Sequence, residues 1–198
     1  MPVFPKWEKY GSLEDISNFD TARRRSTFED MGVSKTLTKF MEELRWRVNQ
    51  APTLWRVNPS LTHCSDILFR LLALPPQTQG IPFIASLSES CRLVMVFLLF
   101  LPYENEYTSP KLMINVQLHK FNMTLEIMFS LVLPHYALLP WLLSVGGVCA
   151  LDPERKWFIG HLVSVTSDMR INSWGEMKSH LVKVIWFDIW CEQLFREF

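Results

Sequence analysis

The sequence predicts an all-α protein, a single-domain bundle of about seven helices, on three observations. Along most of the chain, apolar residues recur at three- and four-residue steps, the pattern of a helix with one buried face. Prolines number 12 against 7 glycines, and several fall between the apolar segments, where they end helices or occupy a first turn. No segment alternates apolar and polar residues between turn signals as a half-buried strand would, and no internal period marks a solenoid. At 198 residues, 48% of them hydrophobic, the chain has the material for one core.

Residues 1–33 are polar and mixed in charge and read as a poorly ordered leader, with residues 34–198 forming the helical domain. The leader holds one basic run, Arg23-Arg24-Arg25-Ser26-Thr27, which offers Ser26 to a basophilic kinase, serves nuclear import, or is simply a solvated surface. The first helix is expected from Ser34 to Val48, with Leu37, Phe40, Met41, Leu44 and Val48 as its stripe and Pro52 beyond its end. A second begins at Asn58-Pro59, a cap followed by a first-turn proline, and carries Leu61, Cys64, Leu68, Leu71 and Leu72 up to Pro75-Pro76.

Ser86-Leu87-Ser88-Glu89 has capping-box spacing and opens the run Cys91 to Leu101, which is apolar nearly all round and therefore central. Ser109-Pro110 starts a helix reaching to about Leu133, with Met113, Val116, Lys120, Met123 and Ile127 near one line. Between Pro134 and Leu151 lie two further apolar pieces. Asp152-Pro153-Glu154 supplies a cap, a proline and a first-turn acid to a helix lined by Phe158, Leu162, Val165 and Met169, with Asn172 expected as its left-handed terminator. Ser173-Trp174-Gly175-Glu176 is a second capping box, heading a helix with Met177, Leu181, Val184 and Ile185 that runs toward Trp186 and Trp190.

Charge and motif searches exclude several classes of function. Lys+Arg and Asp+Glu are 20 each, so no global field exists to hold a nucleic-acid backbone or an anionic membrane. Cys64, Cys91, Cys149 and Cys191 are far apart within apolar segments, the setting of reduced core residues. The opening residues show neither a secretory nor a transit signal, so a protein that is not secreted is expected. His63 and Cys64 are adjacent and would point apart on a helix, and the other histidines lack a partner three or four positions away, so no metal site is expected. Gly146-Gly147 has no following lysine to make a phosphate cradle, and no nucleophile-elbow spacing surrounds a serine, so neither a cofactor nor catalysis is expected.

Ile127 to Leu151 contains no Asp, Glu, Lys or Arg and is long enough to span a bilayer, which makes a membrane-associated helical protein the alternative reading. Pro134 and Pro140 divide the stretch, so two buried helical pieces fit it better. Eight tryptophans are present, and Trp141, Trp157, Trp174, Trp186 and Trp190 gather in the last third, as core packing or as the lining of a pocket or interface.

One set of residues carries a resemblance. Pro134-His135, Leu138-Leu139-Pro140-Trp141-Leu142-Leu143, Gly146-Gly147, Glu154-Arg155-Lys156-Trp157-Phe158 and Ser173-Trp174-Gly175-Glu176 follow one another ahead of Leu181 and Trp186. In order and separation they resemble the fungal-specific transcription factor domain, the regulatory domain of fungal zinc-cluster transcription factors, over roughly residues 85–190. Upstream, Glu89-Ser90-Cys91-Arg92-Leu93 looks like an earlier core helix of that family. The resemblance implies an all-helical regulatory region, in the nucleus or cytoplasm, acting through protein partners or a small effector. The binuclear zinc cluster that reads DNA in the family is absent from this sequence, so the chain alone is expected not to bind DNA sequence-specifically. The matched residues are expected to be structural: Glu154 in a first helical turn, Trp157 and Phe158 against the Trp141 segment, Arg155 on nearby carbonyls or an acid.

Overall fold

A computed structural model of the protein describes residues 27–30, 32–50, 65–75, 81–100, 108–131 and 137–186. Among them are eight helices and no strand: α1 (Thr27–Asp30), α2 (Lys35–Gln50), α3 (Ser65–Ala73), α4 (Pro82–Phe100), α5 (Thr108–Ser130), α6 (Leu139–Cys149), α7 (Glu154–Asp168) and α8 (Trp174–Val184). Seven of these are longer than one turn, and the fold is all-α.

The amino-terminal helices follow the expected stripes. Leu37, Phe40, Met41 and Leu44 are buried along α2. Phe28 and Val33, which the polarity of their surroundings assigned to the leader, are buried in the same core, with Gly32 at φ 81° making the turn between them. Ser26 and Arg23–Arg25 lie outside the described residues, as do Asn58, Pro59, Leu61 and Cys64 and the side chain of Val48. In α3, Leu68 and Leu71 are buried with Ile67, whereas Leu72 faces solvent. Arg47 grips both carboxylate oxygens of Asp66 at 2.8 Å and reaches Glu43 at 2.6 Å, fastening α2 to α3. Burial alone would raise the Asp66 carboxyl, but the Arg47 hydrogen bond and charge outweigh it and hold the group below its ordinary value.

Helix α4 begins a full turn before the expected capping box. Pro82 occupies its first turn and the Ala85 amide donates to the Ile81 carbonyl at 3.0 Å. Ser86 and Glu89 therefore lie inside the helix and are buried, because a three-residue spacing also joins neighbours on one helix face. Every residue from Ala85 to Leu99 is buried, and α4 packs against α2, α3, α5 and α6.

In α5 the buried face is opposite to the expected one. Ile114, Leu118, Phe121, Leu125 and Met128 enter the core, while Val116, Met123 and Ile127 face out. The helix carries two apolar stripes, and the one interrupted by Lys120 is the solvent face; the side chain of Met113 is outside the described residues.

The uncharged stretch 127–151 is not one helix: α5 ends at Ser130 and α6 begins at Leu139 with Pro140 in its first turn. Every residue of α6 is buried. Among the described residues the one helix long and apolar enough to cross a membrane is α4, and most of it is covered by the rest of the protein.

Helix α7 starts with Pro153, not Asp152, at the cap position, and Asp152 pairs instead with Lys156 at 3.3 Å on the surface. Phe158 and Val165 are buried and Leu162 and Met169 pack partly buried, as their spacing predicts. The left-handed terminator is Arg170 at φ 56°, two residues before Asn172. The Ile171 amide reaches the Thr166 carbonyl at 2.9 Å and the Arg170 amide reaches Ser167 at 3.0 Å, a Schellman-type end that fixes the stop by hydrogen bonding.

Candidate functional site

The residues of the family-like pattern converge on α6, which packs against α7 and α8 as well as α4 and α5. Trp141, 1% exposed, donates its Nε1–H to the Ile185 carbonyl at 3.0 Å, joining α6 to the residue that follows α8. Arg155, in the first turn of α7, donates from Nε to the Gly147 carbonyl at 3.1 Å and from Nη2 toward Val148 at 3.5 Å. Both carbonyls belong to the last turn of α6, where no intrahelical donor remains for them, so Arg155 caps that helix as expected. Glu154 stands in the first turn of α7, at the positive end of its dipole.

Phe158 is fully buried and stacks on Phe121 with ring centroids 5.7 Å apart. The pair lies over Gly146: a methyl group there would come within 2.7 Å of Phe121 Cε1 and closer still to Phe158. Gly146 thus serves as a notch that admits two rings against the α6 backbone. Trp157 turns the other way. It meets Phe158 edge-on at 5.0 Å and packs on His161 at 4.2 Å, which is itself stacked on Phe129 of α5 at 4.4 Å. Burial lowers the His161 imidazole from its ordinary value, and the negative charge of Glu126 opposes that shift.

Ser173 caps α8 as its motif predicts, accepting the Glu176 amide at 3.2 Å. The Glu176 carboxylate reaches one residue further back than in a simple capping box and accepts the Asn172 amide at 2.6 Å. Trp174 is part-exposed and inclined toward the buried Trp186 at 6.0 Å. His135 and Trp190 lie outside the described residues.

A second constellation is one that sequence reasoning did not assemble. In the centre of α4, Arg92 donates to the Glu89 carboxylate from Nε at 2.9 Å and from Nη2 at 2.7 Å. Lys120 reaches in from α5 to the same carboxylate at 2.5 Å, and Arg92 Nη1 donates to the Leu71 carbonyl of α3 at 3.2 Å. Glu89 and Arg92 are both buried, whereas Lys120 opens to solvent. The available signals were a three-residue Glu-to-Arg spacing inside an apolar run and a lone lysine in an apolar stripe. Nearby, Ser88 Oγ accepts the Ser34 amide at 3.0 Å and ties the start of α2 to the same helix.

These arrangements hold helices together, and none sets a nucleophile beside a base. Burial raises the Cys91 thiol far above its ordinary value, which keeps it from forming a thiolate. Among the described residues no group of three or more His, Cys, Asp and Glu side chains is placed to hold a metal ion. No protein-family model matches the chain, and no curated protein or solved structure matches it either.

Proposed function

We propose that the chain is a non-catalytic regulatory or interaction domain, similar to the C-terminal part of fungal zinc-cluster transcription regulators, working in the nucleus or cytoplasm through protein partners or a small effector. The observation that carries this reading is the convergence of the family-like residues on one packed unit. Trp141, Arg155, Phe158 and Ser173 each have a framework role in α6 to α8: the polar atoms of Trp141, Arg155 and Ser173 are engaged by backbone groups, and Phe158 packs over Gly146. A reaction centre would instead hold such groups ready for a substrate. Balanced charge supports the further expectation that the chain alone does not read DNA.

Two measurements test the proposal together. Tethered to a heterologous DNA-binding domain, the chain is expected to change reporter output, and Trp141→Ala, which unseats α8, is expected to abolish the effect. In a gel-shift titration across salt, the chain alone is expected to bind weakly and without sequence preference. A tethered chain with no effect on transcription, or tight sequence-selective binding by the chain alone, overturns the reading.

A further inference from the structure

The two tryptophans that flank α8 form a corner. Trp174, the first residue of the helix, and Trp186, two residues past its end, have ring centroids 6.0 Å apart and planes inclined by 59°. A cation can therefore lie about 5 Å from both centroids at once, inside the range over which a ring face attracts positive charge. Tryptophan is the strongest of the aromatic side chains in that role.

Both walls of the corner are fixed by hydrogen bonds. Trp174 follows Ser173, which accepts the Glu176 amide, and the Glu176 carboxylate accepts the Asn172 amide on the other side of the cap. Trp186 follows Ile185, whose carbonyl accepts the Trp141 indole N–H. Walls held in place before anything enters lose little freedom on binding. Packing accounts for one wall only: Trp186 is 8% exposed and belongs to the core, whereas Trp174 is 39% exposed and lies outside it.

The chain sets a cation of its own at this corner. Lys178 is four residues from Trp174 on the same side of α8, and its Nζ lies 5.9 Å from the Trp186 ring centroid. That distance is the outer limit of a cation–ring contact, and a primary ammonium is drawn toward water because it is strongly hydrated. A trimethylammonium group spreads the same charge over apolar methyls, leaves water readily and can rest on two ring faces together. Aromatic walls are the usual means of holding such quaternary ammonium groups.

We infer that the Trp174–Trp186 corner binds a trimethylammonium group, carried by a methylated lysine or by a choline-like small molecule, and that Lys178 is the movable side chain the ligand displaces. The inference does not rest on the transcriptional reading, since binding is read on the chain itself and not from reporter output. Two walls make an open site, so affinity for the isolated group is low, with a dissociation constant on the order of 1–10 mM.

The indole N–H magnetic-resonance signals of the full, isotope-labelled chain test it. Choline is expected to shift the signals of Trp174 and Trp186, and the neutral tert-butyl analogue of choline to leave them in place. Trp174→Ala, at an exposed position, is expected to abolish the response with unchanged circular dichroism. Lys178→Ala is expected to tighten binding about three- to tenfold by clearing the corner. A trimethyllysine peptide bound more tightly than choline assigns the site to a methylated protein, and the reverse order assigns it to a small molecule. Signals that stay in place up to about 100 mM choline overturn the inference, as does an equal response to the tert-butyl analogue or to unmethylated lysine peptide. Binding indifferent to Lys178→Ala overturns the part given to that side chain.

Discussion

Helix α4 from Ala85 to Leu99 and the whole of α6 are each enclosed on every side, pack against one another, and are held in register by different means. Hydrophobic burial is non-directional, so a helix that is apolar all round can turn or slide in its sheath at little cost unless something directional pins it. In α4 the pin is ionic: Glu89 and Arg92 form a pair in the core, completed by Lys120 of α5 and the Leu71 carbonyl of α3. In α6 the pin is shape. Gly146 admits the Phe121 and Phe158 rings, Trp141 reaches the Ile185 carbonyl, and Arg155 closes the end from outside. An ionic pin tolerates the joint replacement of its members better than the loss of one, whereas a steric pin does not tolerate an added methyl group.

The largest expected effect comes from removing one charge of the ionic pin. Glu89→Leu leaves Arg92 buried without its carboxylate and is expected to cost about 3–5 kcal/mol, read as a fall in the urea midpoint. Glu89→Leu with Arg92→Leu turns α4 into a helix like α6 and is expected to recover most of that loss, since Lys120 can turn to water. A double variant as unstable as the single one would mean that α4 needs its ions for more than mutual neutralisation.

Next comes the steric pin. Gly146→Ala is expected to cost about 1–3 kcal/mol by forcing two rings off the α6 backbone. In that background Phe158→Leu should recover part of the loss, because it removes the closest obstruction; thermal unfolding of the four-member cycle measures the coupling. Additive effects would show that Gly146 and Phe158 do not share a contact. Trp141→Phe keeps a ring in α6 but leaves the Ile185 carbonyl without its donor. It is expected to cost about 1–3 kcal/mol, with increased hydrogen exchange confined to α8.

The two regions also differ in how far the sequence exposed them. In the C-terminal half most short-range signals were sound: Ser173 caps α8, Arg155 satisfies carbonyls, and Phe158 and Val165 lie on the buried face, although the α7 cap fell at Pro153 rather than Asp152 and its left-handed end at Arg170 rather than Asn172. Each of those depends on residues close in sequence or on a helix face with one clear stripe. In the central region the signals conflicted. Ser86 and Glu89 had capping-box spacing, but a proline four residues earlier starts the helix, and the acid's true partners include a lysine 31 positions away. Helix α5 has two apolar stripes, and which one enters the core is settled by tertiary packing of Phe121 and Leu125 that no local pattern reports. The notch at Gly146 was invisible for the same reason, since what makes glycine necessary there is a ring from α5 and a ring from α7.

The smallest expected effect separates the regions by pH. His161 packs between Trp157 and Phe129, and its burial disfavours the imidazolium, although Glu126, the charged group facing it from α5, partly offsets this. With the folded value below the unfolded one of ~6.5, the unfolded chain binds more protons in the interval between them. Stability is therefore full above about pH 6.5 and falls as the pH drops through the folded value. His161→Phe keeps a ring against Phe129 and Trp157 and should flatten that decline, while Glu126→Gln removes the opposing charge and should steepen it. Both are read from urea midpoints between about pH 7 and pH 5. A pH slope unchanged by His161→Phe would place the titrating group elsewhere than the α5–α7 contact.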